Sequence, residues 1–437
     1  MKPDSSRPNI AVIGAGWAGL SAATHLVRRA DVTLFEAGRQ AGGRARTFGG
    51  SRHGFSFLDN GQHICIGAYH SVLSLMKLIG VSEQQAFVRL PLQWHLHDGL
   101  QFQTAPLPAP LHIAAGLLLA KNTAFSHKIK LLSDMNALQR HHKKQQPDLS
   151  IAQWLRQRRT PRKLVADFWQ PLVWGALNTP LEQASVNCLC HVLQDGVWAD
   201  KAGSDYLLPK QDLGSMVAEP ALAYLKQHGA TVHLETRVPP LSHLPDGRVC
   251  VNGEAFDAVV LAVAPYHAAA LLPADTPAYI QTAYQNQSYH AITTVYLRYA
   301  ETVKLPAAMT GFADGTAQWL IERGALGLSA HEVAAVISVS EQLGALKPDE
   351  WVQKVHADLL RICPHLGAPT ASQVITEKRA TTAATVGRTP PDLAWLHHRH
   401  IYPAGDYLHP RYPATLEAAV QSGIRAADLY LLSRKTT

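Results

Sequence analysis

The chain has 437 residues, of which 47% are hydrophobic and 17% charged. That length exceeds one hydrophobic core and argues for two domains, and the composition excludes a disordered chain. The formal charge of +7 is modest for this size. No nucleic-acid motif accompanies it, and no apolar run approaches the roughly 18 to 20 residues of a membrane span.

The first predicted element is the strand Asn9–Ile13, which runs into Gly14-Ala15-Gly16-Trp17-Ala18-Gly19 and then into an apolar helix from Leu20 to Val27. In this arrangement Gly14 permits the tight turn and Gly16 lets the backbone approach a pyrophosphate. Gly19 lets the helix pack close to the sheet, and the free N–H groups at the helix start face the anion. A second strand, Val32 to Glu36, ends on its acid 17 residues after Gly19, where a carboxylate bonds ribose hydroxyls. Ala37 follows it. Strand, helix, strand and acid together predict a dinucleotide site. Gly42-Gly43-Arg44 then offers a second close backbone approach and a cation for phosphate oxygens. The alternative reading is a surface loop carrying one Arg.

Residues 86–205 read as mostly helical, with a Pro-rich entry and a basic middle. Next come a helix from Pro220 to Gly229, a strand from Ala230 to Val238, a hairpin from Arg248 to Phe256 and a buried strand from Ala258 to Val263. Residues 280–385 alternate like strands, at Ala291–Tyr299, Ala317–Glu322, Val333–Val339 and Ser372–Ala380. Ile401 to Asp406 reads as a strand ending in Gly405-Asp406. Pro413 then suits the first turn of a helix running to about Leu432, whose positive end can stabilise negative charge. No internal repeat and no second Gly-x-Gly-x-x-Gly occurs, so no separate nicotinamide-binding domain is expected.

The two nucleotide motifs and the terminal Gly-Asp together resemble the FAD-dependent amine oxidase and phytoene desaturase superfamily. Leu58-Asp-Asn-Gly-Gln-His-Ile-Cys-Ile-Gly-Ala-Tyr69, Phe168-Trp-Gln-Pro-Leu-Val-Trp-Gly-Ala-Leu-Asn-Thr-Pro180, Ile292 to Arg298, Glu377-Lys-Arg-Ala-Thr381 and Tyr412-Pro-Ala-Thr-Leu-Glu417 look like the squalene-associated desaturases, the bacterial hydroxysqualene dehydroxylases. The resemblance runs from about Ile10 to Ala427. It implies an α/β fold with a discontinuous Rossmann-like FAD-binding domain (1–85, 206–279 and 391–437) and a substrate domain of mixed sheet and helices (86–205 and 280–390). It also implies FAD contacts from Gly14 to Gly19, Glu36, Ala37, Gly43, Arg44, Gly61, Gln62, Val238, Gly405, Asp406, Ala414 and Thr415.

The activity implied is reductive removal of an allylic hydroxyl from a C30 isoprenoid, giving squalene. A general acid must protonate the leaving hydroxyl. Asp59 and His63 are candidates because their motif falls near the flavin in related folds, and Lys378 and Arg379 are candidates to line the cavity. A lone His is more often structural than catalytic, and the alternative for Lys378 and Arg379 is a strand-edge cation pair. A carotenoid-type desaturase, an amine or porphyrinogen oxidase and a non-catalytic isoprenoid carrier remain as rival readings. No metal site is expected, since His397, His398 and His400 lack recognisable partners.

Five cysteines without a Cys-x-x-Cys pair fit a reducing compartment, and a first strand beginning by Asn9 leaves no room for a secretory signal. A cytoplasmic protein is expected. Between Lys121 and Lys163, eleven Lys/Arg face only Asp134 and Asp148, a local excess of +9. This cluster reads as a solvated face or, because it follows the apolar stretch 105–120, as a contact with anionic membrane. The external electron donor is not legible.

Overall fold

Burial of the first strand on both of its faces sets the architecture. A computed structural model describes residues 7–48 and 54–434, so the expected outer domain limits at residues 1 and 437 lie outside them. The main strands are β1 (Asn9–Ile13), β2 (Asp31–Phe35), β3 (Thr231–His233), β4 (Ala258–Leu261), β5 (Tyr289–Arg298), β6 (Met309–Gly311), β7 (Trp319–Glu322), β8 (Glu332–Ser338), β9 (Ala371–Thr382) and β10 (Ile401–Pro403).

Five of them form a parallel sheet in the order β10-β4-β1-β2-β3. In β1, Ile10 and Val12 pack with helix α1 (Trp17–Leu26), while Ala11 and Ile13 pack with Phe35, Phe256 and Tyr284 on the other face. A strand buried on both faces is what a covered parallel sheet requires. The expected strand Ala230 to Val238 pairs only over Thr231–His233, because Glu235 takes a left-handed φ of 52° that turns the chain out of the ladder. Val238 is nonetheless buried beside this sheet.

The other five strands form an antiparallel sheet in the order β6-β7-β8-β5-β9. One face carries Val295, Leu320 and Ile337 against Trp351 and Val355 of the helix Pro348–Leu360. The opposite face turns Met309, Trp319 and Val336 toward Phe168, Trp169 and Val173. A small sheet of Cys65–Ile66, Tyr206–Pro209 and Phe87–Leu90 straddles the expected boundaries at 85/86 and 205/206.

Between β2 and β3 in sequence lies the helix α2 (Phe125–Lys143), and the last described helix is α3 (Leu416–Ser433). Pro413 does not open α3 as expected. Ala414 has a φ of 64°, which breaks the helical path, and Thr415 caps the helix by accepting a hydrogen bond from the Ala418 N–H at 3.0 Å. Among the described residues no helix is long and apolar enough to cross a membrane.

Candidate active site

β1 delivers the chain to Gly14, whose φ is +99° and where a Cβ would lie 2.5 Å from the Ala262 carbonyl oxygen. Gly19 packs on the same turn so tightly that its Cβ would sit 1.8 Å from Gly14 O. Gly16 differs from both. It begins α1 with an ordinary φ of −71°, no side chain caps the first N–H groups, and the first turn carries no acid. The nearest atom to a Cβ there is Gly43 Cα at 3.9 Å, and Gly16 bridges Gly42 across the turn. Uncapped helix N–H donors beside a residue without a side chain fit a pyrophosphate.

The acid at the end of β2 is held for a purpose. Glu36 accepts hydrogen bonds from the Ala15 N–H and the Gly38 N–H, both at 2.7 Å, and each oxygen keeps a lone pair for a ribose hydroxyl. Ala37 is exposed just beyond it. Trp17 and Ala18 are buried, and Trp17 Nε1 donates to Ala45 O, which ties α1 to the Gly-Gly-Arg loop.

Arg44 joins the two ends of the chain. Its guanidinium donates to Asp406 Oδ1 at 2.5 Å and to Ala380 O at 2.8 Å. The Gly405 N–H donates to Ser422 Oγ on α3, so the Gly405-Asp406 turn is fixed to that helix as well. Ala380 belongs to a bulge: β9 opposes Ile292 with Glu377 and His290 with Thr381, leaving residues 378–380 over. Such bulges re-aim a strand beside a site.

The sequence-predicted catalytic residues are not brought into one cluster. Asp59 is 3% exposed, and its oxygens accept from Thr47 Oγ1 at 2.8 Å and from the Leu213 N–H at 3.2 and 3.3 Å. Burial pushes its carboxyl up to about 7, against the opposing pull of the Thr47 and Leu213 bonds. The Thr47 hydroxyl also lies 2.8 Å from Asp212 Oδ1, yet it has one proton. The hydroxyl is thus shared between the two carboxyls.

His63 is half-buried four residues on, with Nδ1 3.0 Å from Gly61 O. That contact assigns the ring proton to Nδ1 and leaves Nε2 without a protein partner. Burial holds its pKa below the ordinary 6.5, Gly61 O opposes this, and the Arg44 cation lowers it further. Gly61 has a φ of +105°, and the Gln62 N–H donates to Thr294 Oγ1 of β5, so the Gly61–His63 turn lies against the antiparallel sheet. Lys378 is exposed within the β9 bulge and makes no ion pair or side-chain hydrogen bond among the described residues. Arg379 beside it lies over the Tyr266 ring at 4.2 Å.

Three partners were missed by sequence reasoning. Asn60 donates to Arg44 O and to Glu377 Oε2, Thr47 links Asp59 to Asp212, and Tyr266 receives Arg379. Asn60 and Glu377 sit inside the quoted motifs, which is the only signal the sequence offered. Nothing local marks Thr47, Asp212 or Tyr266.

Parallel sheet, open glycine cradle and ribose acid define an α/β oxidoreductase that binds a dinucleotide. Residues 17–431 match the family described as flavin containing amine oxidoreductase, and the chain belongs to that family. Its cofactor is a flavin, and the dinucleotide cradle makes that flavin FAD. The chain is 28% identical to the hydroxysqualene dehydroxylase of Zymomonas mobilis, over 96% of this chain and 98% of that protein. It is 29% identical to that of Rhodopseudomonas palustris, over 96% and 97%. Among solved structures, a putative protoporphyrinogen oxidase from Exiguobacterium superposes with a TM-score of 0.70 at 18% identity, covering 98% of this chain and all of that one, which establishes the shared fold.

Proposed function

We propose that this chain removes an allylic hydroxyl reductively from hydroxysqualene, a C30 isoprenoid alcohol, and releases squalene and water. The observation that carries the reading is the similarity to hydroxysqualene dehydroxylases across nearly the full length of both chains, joined to an intact FAD cradle. Reduced FAD, when bound, supplies the hydride and its electron pair. The C–O bond breaks as the hydroxyl takes a proton and leaves as water, and an external two-electron donor restores the reduced cofactor.

The chain's own part is to hold the nucleotide and to move that proton. His63 is the acid of this reading, because Nε2 is unpartnered while Nδ1 is fixed on Gly61 O. Asp59, closed off by Thr47 and Leu213, is a positioning residue: Asn60 N–H donates to Arg46 O next to it. Lys378 lines the approach without touching the other candidates. The division into an FAD unit and a substrate unit is supported by strand origin, since the parallel sheet draws its strands from residues 9–35, 231–261 and 401–403 and the antiparallel sheet from 289–382.

A C30 alcohol partitions into bilayers, and a peripheral membrane attachment is part of this proposal. Its support is the crowding of exposed Leu107, Leu111, Leu118, Leu119, Phe125 and Ile129 along one stretch, with Leu119 76% and Phe125 68% exposed. The test of function is a single turnover: dithionite-reduced protein is mixed anaerobically with hydroxysqualene, and separately with phytoene. Squalene by mass, with flavin reoxidation and no change in phytoene, is the expected result. Desaturation of phytoene by the oxidised protein would replace this reading with the desaturase one.

A further inference from the structure

The strongest unassigned feature is a cleft of ≈ 830 Å³ on the helical side of the antiparallel sheet. Its floor is apolar, from Leu155, Val165, Trp174 and Leu181, and its rim carries Arg156, Arg159 and Arg162 with Glu182 as the one carboxylate. The cations around it divide sharply. Arg158 is held by Asp134 at 3.0 Å and by Ser133 Oγ, and Lys163 by Asp167 at 2.8 Å. Arg156, Arg159 and Arg162 are exposed and make no ion pair or side-chain hydrogen bond among the described residues. Arg159 reaches its place through a left-handed φ of 53° where the helix Ile151–Gln157 ends.

The position of the cleft gives it a context. Thr160 Oγ1 donates to Asp134 at 2.8 Å, and Lys130 pairs with the same acid, so the arginine loop is pinned to the first half of α2. Ile129 and Phe125 expose their side chains on that same half. The exposed pair and the acid that pins the arginine loop thus belong to the same half of one helix. Lys143 and Lys144, by contrast, lie at the far end of α2, about 27 Å from Phe125 at 1.5 Å per residue.

We propose that this cleft is a headgroup site for an anionic glycerophospholipid, taken while the neighbouring apolar side chains enter the bilayer. The inference rests on the peripheral attachment proposed above and names its partner. Guanidinium groups without carboxylate partners match phosphate oxygens in a forked geometry, and an apolar floor suits the glycerol and first acyl carbons. An amphiphile with one negative head fits both halves of the lining. A free anion fits only the rim.

The experiment compares three FAD-loaded proteins by sedimentation with phosphatidylcholine vesicles, with and without phosphatidylglycerol. They are the unaltered chain, the triple variant Arg156→Gln/Arg159→Gln/Arg162→Gln, and the apolar variant Leu119→Ser/Phe125→Ser. With phosphatidylglycerol present, the triple variant should bind on the order of a hundredfold more weakly than the unaltered chain, from three cations at an anionic surface. On phosphatidylcholine alone the two should match, and the apolar variant should lose binding to both vesicles. Flavin absorbance and single turnover in neutral detergent micelles check that each variant is folded. A triple variant that binds phosphatidylglycerol like the unaltered chain, while the apolar variant fails, overturns the headgroup site and leaves the attachment standing. If both variants bind like the unaltered chain, attachment and site fall together. Tight binding of inorganic phosphate to these arginines without any preference for phosphatidylglycerol would also overturn the proposal, in favour of a soluble anion.

Discussion

The three glycines of the first motif should fail in different ways when each becomes alanine. At Gly16 the backbone φ of −71° suits any residue, and an added Cβ has no protein atom nearer than Gly43 Cα at 3.9 Å. The apoprotein should therefore keep its stability to within about 1 kcal/mol, the scale of a helix-cap change. The same methyl projects beside the N–H groups at the start of α1, where this reading places the pyrophosphate. Losing two charge-assisted bonds there, at about 1.5–3 kcal/mol each, weakens FAD by at least about a hundredfold. At Gly19 the Cβ overlaps Gly14 O at 1.8 Å and meets Ala262 Cβ at 3.1 Å, so strand and helix must separate. That overpacking costs about 1–3 kcal/mol or more before any cofactor is added. Gly14→Ala adds a left-handed strain to a 2.5 Å clash with Ala262 O. Urea unfolding of the apoproteins and fluorimetric FAD titration separate the two effects. A Gly16→Ala protein that binds FAD normally, or that loses as much apoprotein stability as Gly19→Ala, would refute the cradle.

Asp59→Asn should flatten a pH dependence. Burial raises the folded Asp59 carboxyl from 3.8 to about 7, so its proton's stabilisation is full below about pH 4 and is lost as pH rises through 7. The shift corresponds to about 4 kcal/mol, an upper figure at 1.36 kcal/mol per unit; urea unfolding across that window should show the slope in the native chain, and its survival in the variant would acquit Asp59. His63, held below 6.5 by burial and by Arg44, donates only as imidazolium. Single-turnover rates should thus climb as pH falls through its pKa, and His63→Ala should lose that limb while keeping FAD; an unchanged profile removes His63 from the chemistry. Arg44→Lys should bind FAD at least about tenfold more weakly by titration, because an ammonium cannot serve Asp406 Oδ1 and Ala380 O in one plane. Wild-type affinity in that variant would mean that the fork is dispensable.

What the sequence made legible was local. Asn9 to Glu36 could be read because turn, helix start and acid lie within one supersecondary unit, and each glycine has a steric reason visible at its own position. The alternating strands of 289–382 were legible for the same reason, to within a few residues. Distance in sequence hid the rest. Nothing near Thr47 indicates that Asp212 will share its hydroxyl, 165 positions away, and it is burial with the Thr47 and Leu213 bonds that makes Asp59 a scaffold rather than an exposed acid. Pro413 misled because a helix-start preference was outweighed by Thr415, whose hydroxyl supplies the cap, and by the left-handed Ala414. The basic run 121–163 read as one patch, but Asp134 and Asp167 neutralise Lys130, Arg158 and Lys163, and α2 carries Lys143 a helix length away.

The two ends of the chain have to meet before the cofactor site exists. β10 joins the parallel sheet only through β4, and α3 then lies along α1 at backbone distance: a Cβ on Gly423 would be 2.0 Å from Ala18 O. Ser21 Oγ bonds Val420 O, His25 pairs with Asp428, and Glu417 accepts from the N–H groups of Ser71 and Val72. Arg44 closes the set on Asp406. Each contact spans more than 300 residues, so the loop-closure cost falls on the last segment to dock. The first motif presents N–H donors and the Glu36 carboxylate, which in this reading hold the adenosine end. Arg44 gains its fixed orientation only when residues 401–433 are in place. FAD, which reaches from Glu36 toward Asp406 in this reading, therefore stabilises the assembled state over any form with an undocked C-terminal helix, and cofactor occupancy reports on the integrity of both ends together.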